Sequence, residues 1–168
     1  MRLFISLTAA LFVTLLAGCA GHSHYAGLEG REIKALSAQE IDGLRQGRGM
    51  SLALAAELNG YPGPLHVLEL GDRLALTGSQ RSATQALYDR MKAAAVAAGS
   101  DVISAERELD RLFASRTIDE AKLDAALARV ANAQARLRGA HLQAHLEQLR
   151  ILTPEQVRIY NQLRGYRS

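Results

Sequence analysis

Apolar residues recur along the chain with helical spacing, and one local signal stands before each such stretch. Ser37-Ala38-Gln39-Glu40, Thr77-Gly78-Ser79-Gln80, Thr117-Ile118-Asp119-Glu120 and Thr153-Pro154-Glu155-Gln156 each place a hydroxyl residue three positions before Glu or Gln. This is a capping box: the hydroxyl accepts a free amide of the first helical turn, and the longer side chain reaches back to the amide of the cap. The repeated signal predicts helix starts at all four places. Leu36 with Ile41, and Leu152 with Val157, are placed as hydrophobic staples, and Pro154 stands at the first helical position, where its missing donor does no harm. Between the first two boxes, Gly60-Tyr61-Pro62-Gly63-Pro64 predicts a rigid turn that ends the first helix near Asn59 and starts a short one through His66 and Leu70. Gly43, Gly47 and Gly49 should kink or fray that first helix.

From Thr84 the pattern lengthens. Thr84, Tyr88, Met91, Ala95, Ala98, Val102, Ala105, Leu109 and Leu112 alternate steps of four and three, and Leu123, Leu127, Val130, Leu137 and His141 form a matching stripe beyond Ala114-Ser115-Arg116. So short a connection makes the two segments antiparallel neighbours, with arms on the order of 50 Å at 1.5 Å per residue. The expected fold is therefore all-α, a long antiparallel helical hairpin with shorter flanking N- and C-terminal helices. Leu142, Leu146 and Leu149 lie on a second face that one partner arm leaves uncovered. That face needs a flanking helix or another subunit, and a homodimer is expected.

Composition agrees with helices rather than strands: the chain is rich in Ala, Leu, Arg and Glu, lacks Trp and has Pro only at Pro62, Pro64 and Pro154. Met1-Arg2 followed by the apolar stretch from Leu3 to Leu16 reads as a secretory signal. It ends in Leu16-Ala17-Gly18-Cys19, which resembles the lipobox of bacterial lipoproteins. The resemblance implies removal of residues 1–18 and lipidation of Cys19, with 19–35 as lipidated cysteine and flexible tether; several acyl chains give durable anchoring. Ala20, rather than an acid, after the cysteine points to the outer membrane, with the protein facing the periplasm. A lone cysteine excludes an intramolecular disulfide, so packing alone must hold the fold. Without Arg2 the chain has 19 basic residues against 17 acidic ones, a balance that argues against nucleic acid.

Two of the boxes, Leu76-Thr77-Gly78-Ser79-Gln80 and Leu152-Thr153-Pro154-Glu155-Gln156, share the form L-T-x-x-Q. A doubled L-T-x-x-Q on an exported, long-helix chain resembles the Spy/CpxP family of periplasmic chaperones and envelope-stress regulators, related to metal-resistance and metal-sensor proteins of the CnrX and ZraP type. The resemblance covers about Leu36 to Tyr166 and implies one LTxxQ-type domain over 36–168. It further implies a hairpin-based antiparallel dimer that binds unfolded envelope proteins without ATP or engages a membrane-bound signalling protein. The chain departs from that pattern in its lipidation signal, in Gly78-Ser79 where Pro-Glu is commoner, and in having few Met. Lys122, Arg129 and Arg136 recur every seven residues and form a basic stripe; with Leu142, Leu146 and Leu149 they are the candidate client-binding residues, although a solvated helix face is the plainer reading of the stripe.

His141 and His145 stand one helical turn apart, the spacing at which two imidazoles share a metal. A site for Zn²⁺, Ni²⁺ or Co²⁺ would need further ligands from His66, Glu69, the His22-Ser23-His24 stretch or a second subunit. The alternative is a half-buried seam histidine beside a surface neighbour. No cofactor is otherwise required. No phosphate loop, G-x-S-x-G elbow or H-E-x-x-H appears, and Glu106 and Asp110 beside Arg107 and Arg111 fit surface charge pairing. No enzyme activity is expected.

Overall fold

The computed structural model describes residues 25–166, so the expected signal segment and Cys19 lie outside the described residues. Its regular structure is helical, with no strand among those residues: α1 is Ala38–Arg45, α2 Leu54–Glu57, α3 Pro64–Glu69, α4 Gly78–Ala114, α5 Glu120–Ile151 and α6 Pro154–Arg164. Helices α4 and α5 form the expected antiparallel hairpin, and α4, with 37 residues, is about 55 Å long.

Three of the four expected capping boxes form complete, at Ser37, Thr77 and Thr153. The fourth does not. Asp119, not Thr117, caps α5, its carboxylate accepting from the Lys122 amide at 2.8 Å. Thr117 instead belongs to the turn, its hydroxyl 2.8 Å from that of Ser115, because Arg116 takes a left-handed conformation (φ 54°) and ends α4 four positions before α5 begins at Glu120. The expected first helix is also divided. Gly47 (φ 60°), Met50 (φ 38°) and Ser51 (φ 65°) interrupt it, leaving α1 and the single turn α2.

The seam of α5 differs by one position from the stripe expected in its distal half. Ala126, Val130, Ala133, Leu137, His141, Ala144 and Gln148 are buried, whereas Leu127 is 48 % exposed. The smaller Ala126 faces α4 and lets the arms come close; Leu127 sits 100° further round. On α4, Leu87, Gly99, Ile103 and Glu106 are buried as well as the seam residues Thr84, Ala95, Ala98, Val102 and Leu112. These additional positions face the N-terminal layer. The one without a Cβ marks the closest approach: any β-carbon on Gly99 would collide with the Leu44 carbonyl of α1.

Two apolar clusters hold the layers together. At mid-hairpin, Ile33, Leu44, Ala95, Ala98, Val102, Ile103, Ala133 and Leu137 pack together, flanked by Leu36, Ile41 and Leu52. At the base, Val67, Leu74, Leu152 and Tyr160 pack with Leu70, Leu76, Val157 and Leu163. Ile33 is 0 % exposed, and Glu32 and Lys34 pair with Arg107 and Asp110 of α4 at 2.8 and 3.2 Å. The expected tether over 19–35 thus stops short of its expected end, because burial of Ile33 docks the chain on the hairpin before residue 36. The acids and arginines expected to pair along α4 partly serve this docking instead.

Candidate functional site

The two L-T-x-x-Q motifs meet at the base of the hairpin. Gln80 accepts its own cap amide, Thr77, at 3.1 Å, and Gln156 accepts that of Thr153 at 2.9 Å. Their amide groups then pair with each other: Gln80 Nε2 donates to Gln156 Oε1 at 2.8 Å, and Gln156 Nε2 donates to Gln80 Oε1 at 3.0 Å. The remaining donor of each finds a main-chain carbonyl, Ile151 for Gln80 (3.0 Å) and Leu74 for Gln156 (3.2 Å). Only an amide can fill this role, since it alone supplies an acceptor to its own cap and two donors elsewhere. Leu76 and Leu152 pack in the basal cluster beside the pair, so the six motif residues tie the starts of α4 and α6 into one unit.

A second buried assembly surrounds Glu57, which no local feature of the sequence singles out. Glu57 Oε1 accepts from the hydroxyls of Tyr160 (2.5 Å) and Tyr166 (3.1 Å), and Oε2 from the Gly63 amide (3.1 Å). Arg164 Nε stands 3.5 Å from the carboxylate and His145 Nδ1 3.6 Å from it. Burial, then the hydrogen bond to Glu57, push the Tyr160 phenol well above its ordinary range. The assembly links α2, the 60–63 turn, α5 and α6, which contribute residues more than one hundred positions apart.

The histidines lie between the two clusters. His145 is buried and its Nδ1 donates to the Tyr61 carbonyl at 2.7 Å, which leaves Nε2 as a free lone pair in the neutral ring. His141 is 4 % exposed and its Nε2 has no partner. Burial first, and then the neighbouring His145, hold its pKa below the usual imidazole value. His145 is therefore no surface neighbour, contrary to the expected alternative; its face of α5 is covered by the 60–63 turn. His66, on α3, lines a cavity together with His141 and His145 but pairs its Nδ1 with Glu69 at 2.9 Å. Among the described residues no three His, Cys, Asp or Glu side chains are grouped so as to hold a metal ion.

The basic stripe is largely balanced. Lys122 pairs with Asp119 at 3.0 Å, Arg136 with Asp101 at 2.9 Å, and Arg129 lines a cleft with Glu108, whose carboxyl is held below the usual range chiefly by its hydrogen bond with Arg111 and more weakly by the charge of Arg129. Of the second-face leucines, Leu146 is exposed while Leu142 and Leu149 are half-buried. A different surface is left bare. Ala94, Ala97, Ala98, Ala135, Gly139 and Ala140 line an open groove between α4 and α5. Of these residues the sequence reading placed only Ala98, on the seam, and it singled out none of the others, because helical spacing gives the angular position of a residue but not which neighbours arrive to cover it.

No helix of the described residues is long and apolar enough to cross a membrane. No curated protein and no solved structure matches the chain. The sequence profile of the LTXXQ motif family matches residues 65–164, a span that begins in α3, contains the whole hairpin and ends with α6. That is more than half of the chain and includes both motif glutamines, so this protein belongs to the LTXXQ motif family, the Spy/CpxP-type family of helical-hairpin proteins.

Proposed function

We propose that the protein is a non-enzymatic envelope-stress component that holds partly unfolded proteins, or a membrane-bound signalling partner, without nucleotide. In this reading Cys19 carries a lipid anchor, on the outer membrane, and the helical domain faces the periplasm. The supporting observation is the one-sidedness of the hairpin. Residues 31–69 cover one face, while the opposite groove is floored by Ala and Gly and rimmed by the Asp101–Arg136 pair. A floor of small side chains lets an extended chain or a second hairpin approach closely, and a charged rim discourages indiscriminate association. The same groove suits a homodimer, whose partner copy would meet acids of α4 with bases of α5.

Suppression of aggregation of a chemically denatured client, with ATP absent, tests the reading. Full-length chain in nonionic detergent should suppress light scattering at stoichiometric ratios, and Ala97→Glu with Ala135→Glu should abolish that effect. Unchanged suppression in this variant would remove the groove from the mechanism. Charge reversal at Lys122, Arg129 and Arg136 should have a smaller effect, since each is already partnered or faces an acid. Metal sensing by Zn²⁺, Ni²⁺ or Co²⁺ is the second reading, favoured only by the unpartnered His141 Nε2. Calorimetric titration with each ion decides it.

A further inference from the structure

A cavity of about 590 Å³ opens between the end of α1, the start of α3 and the α4–α5 seam. Its floor consists of buried groups, His141, His145, Gly63 and Pro64. Its exposed rim carries Arg45, Arg48 and Lys92. None of the residues lining it is Asp or Glu, although the described chain is otherwise nearly balanced in charge. Arg48 is paired with Asp42 at 3.0 Å, but among the described residues Arg45 and Lys92 have no acidic partner; Lys92 rests over the Tyr88 ring at 5.9 Å. The wall is tight where Gly47 (φ 60°) lies against α4: a β-carbon there would stand 3.1 Å from the Lys92 carbonyl and from Val96 Cγ2. Excess positive charge at the mouth thus meets a buried, unpartnered imidazole nitrogen within.

We propose that this cavity binds a phosphate group, with Arg45 and Lys92 engaging its oxygens at the mouth and His141 Nε2 donating to it from the floor. The chemistry is specific in three respects. A guanidinium offers two parallel donors to phosphate oxygens, and an ammonium adds a point charge. A neutral imidazole whose Nε2 carries the ring proton is a hydrogen-bond donor, and a phosphate oxygen satisfies the position that has no partner within the protein. Tyr88, Met91, Leu65 and Val96 line the rest of the space, which suits an organic substituent on the phosphate. The charged groups around His141 from the neighbouring elements are Arg45 and Arg48 near α1, His66 with its Glu69 on α3, Lys92 on α4 and His145 on α5. Glu57 stands behind His145 and is already held by two tyrosines and the Gly63 amide.

Calorimetric titration of the full-length chain in nonionic detergent at pH 7, with inorganic phosphate against sodium chloride of matched ionic strength, tests the site. Expected is one saturable event, weakened at least tenfold in Arg45→Gln with Lys92→Gln, both exposed positions whose change leaves the core intact. Arg73→Gln with Arg150→Gln, which removes equal charge elsewhere, should bind as the unaltered chain does. The ¹⁵N resonances of the His141 ring should shift on saturation, as its Nε2 gains a partner. A parallel titration with short-chain phosphatidylglycerol below its micellar concentration separates the sources. Competition between lipid and inorganic phosphate assigns a headgroup, and phosphate binding alone assigns a soluble phosphate compound. No saturation by either, equal loss in both double variants, or uptake of Zn²⁺ with no response to phosphate overturns the proposal. Aggregation suppression should be unchanged in Arg45→Gln with Lys92→Gln, so this site and the groove fail independently.

Discussion

Replacing Gln156 by Met keeps the length of the side chain and removes its amide, which isolates the energetic role of the paired motif glutamines. Four hydrogen bonds are lost, those with Thr153 N, Leu74 O and both amide atoms of Gln80. Gln80 retains Thr77 N and Ile151 O, so its own cap survives. Left without partners are the Thr153 amide and the Leu74 carbonyl, at a part-buried site. At about 0.5–1.5 kcal/mol net for each bond, with the unsatisfied groups at the upper end, the substitution should cost about 2–4 kcal/mol. Glu40→Met removes the reciprocal bond from the exposed box at Ser37, and should cost about 1 kcal/mol or less.

Urea unfolding of the single variants and of Gln80→Met with Gln156→Met completes a double-mutant cycle. The pair bonds are counted twice in the singles and once in the double, so the double should be more stable than additivity predicts by about 1–2 kcal/mol. Additivity within about 0.3 kcal/mol, or a Gln156→Met cost no larger than that of Glu40→Met, would show that the motif is two separate helix caps and that the amide pair contributes nothing.

Three further substitutions probe the packing around the hairpin. Because the folded-state pKa of His141 lies below its unfolded value, near 6.5, the unfolded chain binds the proton first; stability is fully present above about pH 7 and declines as pH falls below 6.5, by at most about 1.4 kcal/mol per unit. Urea midpoints at pH 8, 6 and 5 should show this decline, with a shallower one in His141→Gln, and parallel slopes would contradict it. Gly99→Ala sets a helix-propensity gain of about 1 kcal/mol against a collision with the Leu44 backbone, and should be net destabilising by about 1–3 kcal/mol. Gly139→Ala, where the new β-carbon meets nothing within 4 Å, should instead stabilise by about 0.5–1 kcal/mol, and equal effects at the two glycines would refute the close approach.

The local half of this fold is legible in the sequence, and the distant half is not. Ser37, Thr77 and Thr153 identify their helix starts because a capping box is complete within four residues. Thr117 misleads because Asp119, two positions later, also caps well and the short turn decides between them. The seam at Ala126 rather than Leu127 follows from the approach distance of α4, which hydrophobic periodicity does not encode. Glu57, Tyr160 and Tyr166 are invisible for the same reason: nothing in the spacing of residues a hundred apart says that a carboxylate will be buried against two phenols. The motif glutamines stand between these cases. Each is legible as a cap, and their pairing is legible only once α4 and α6 are known to start side by side.

What fixes the register of so Ala-rich a hairpin is a separate question, since Ala against Ala packs nearly as well after a shift of one turn. Polar residues buried between the two apolar clusters supply an answer. Gln148 is fully buried and donates to Thr84 Oγ1 at 3.2 Å across the α4–α5 seam, while its Oε1 has no partner. Such a pair costs stability relative to apolar side chains of the same shape, yet it disfavours every register that separates its members. Thr84→Val alone should destabilise by about 1–2 kcal/mol, because it strands the Gln148 amide. Adding Gln148→Leu should restore stability to the original value or above it, while loosening the register. Spin labels at Ala97 and Ala140 measure that register: a single narrow distance distribution in the unaltered chain should broaden in the double variant. A double variant that keeps the narrow distribution would transfer the role of register to the paired glutamines at the base.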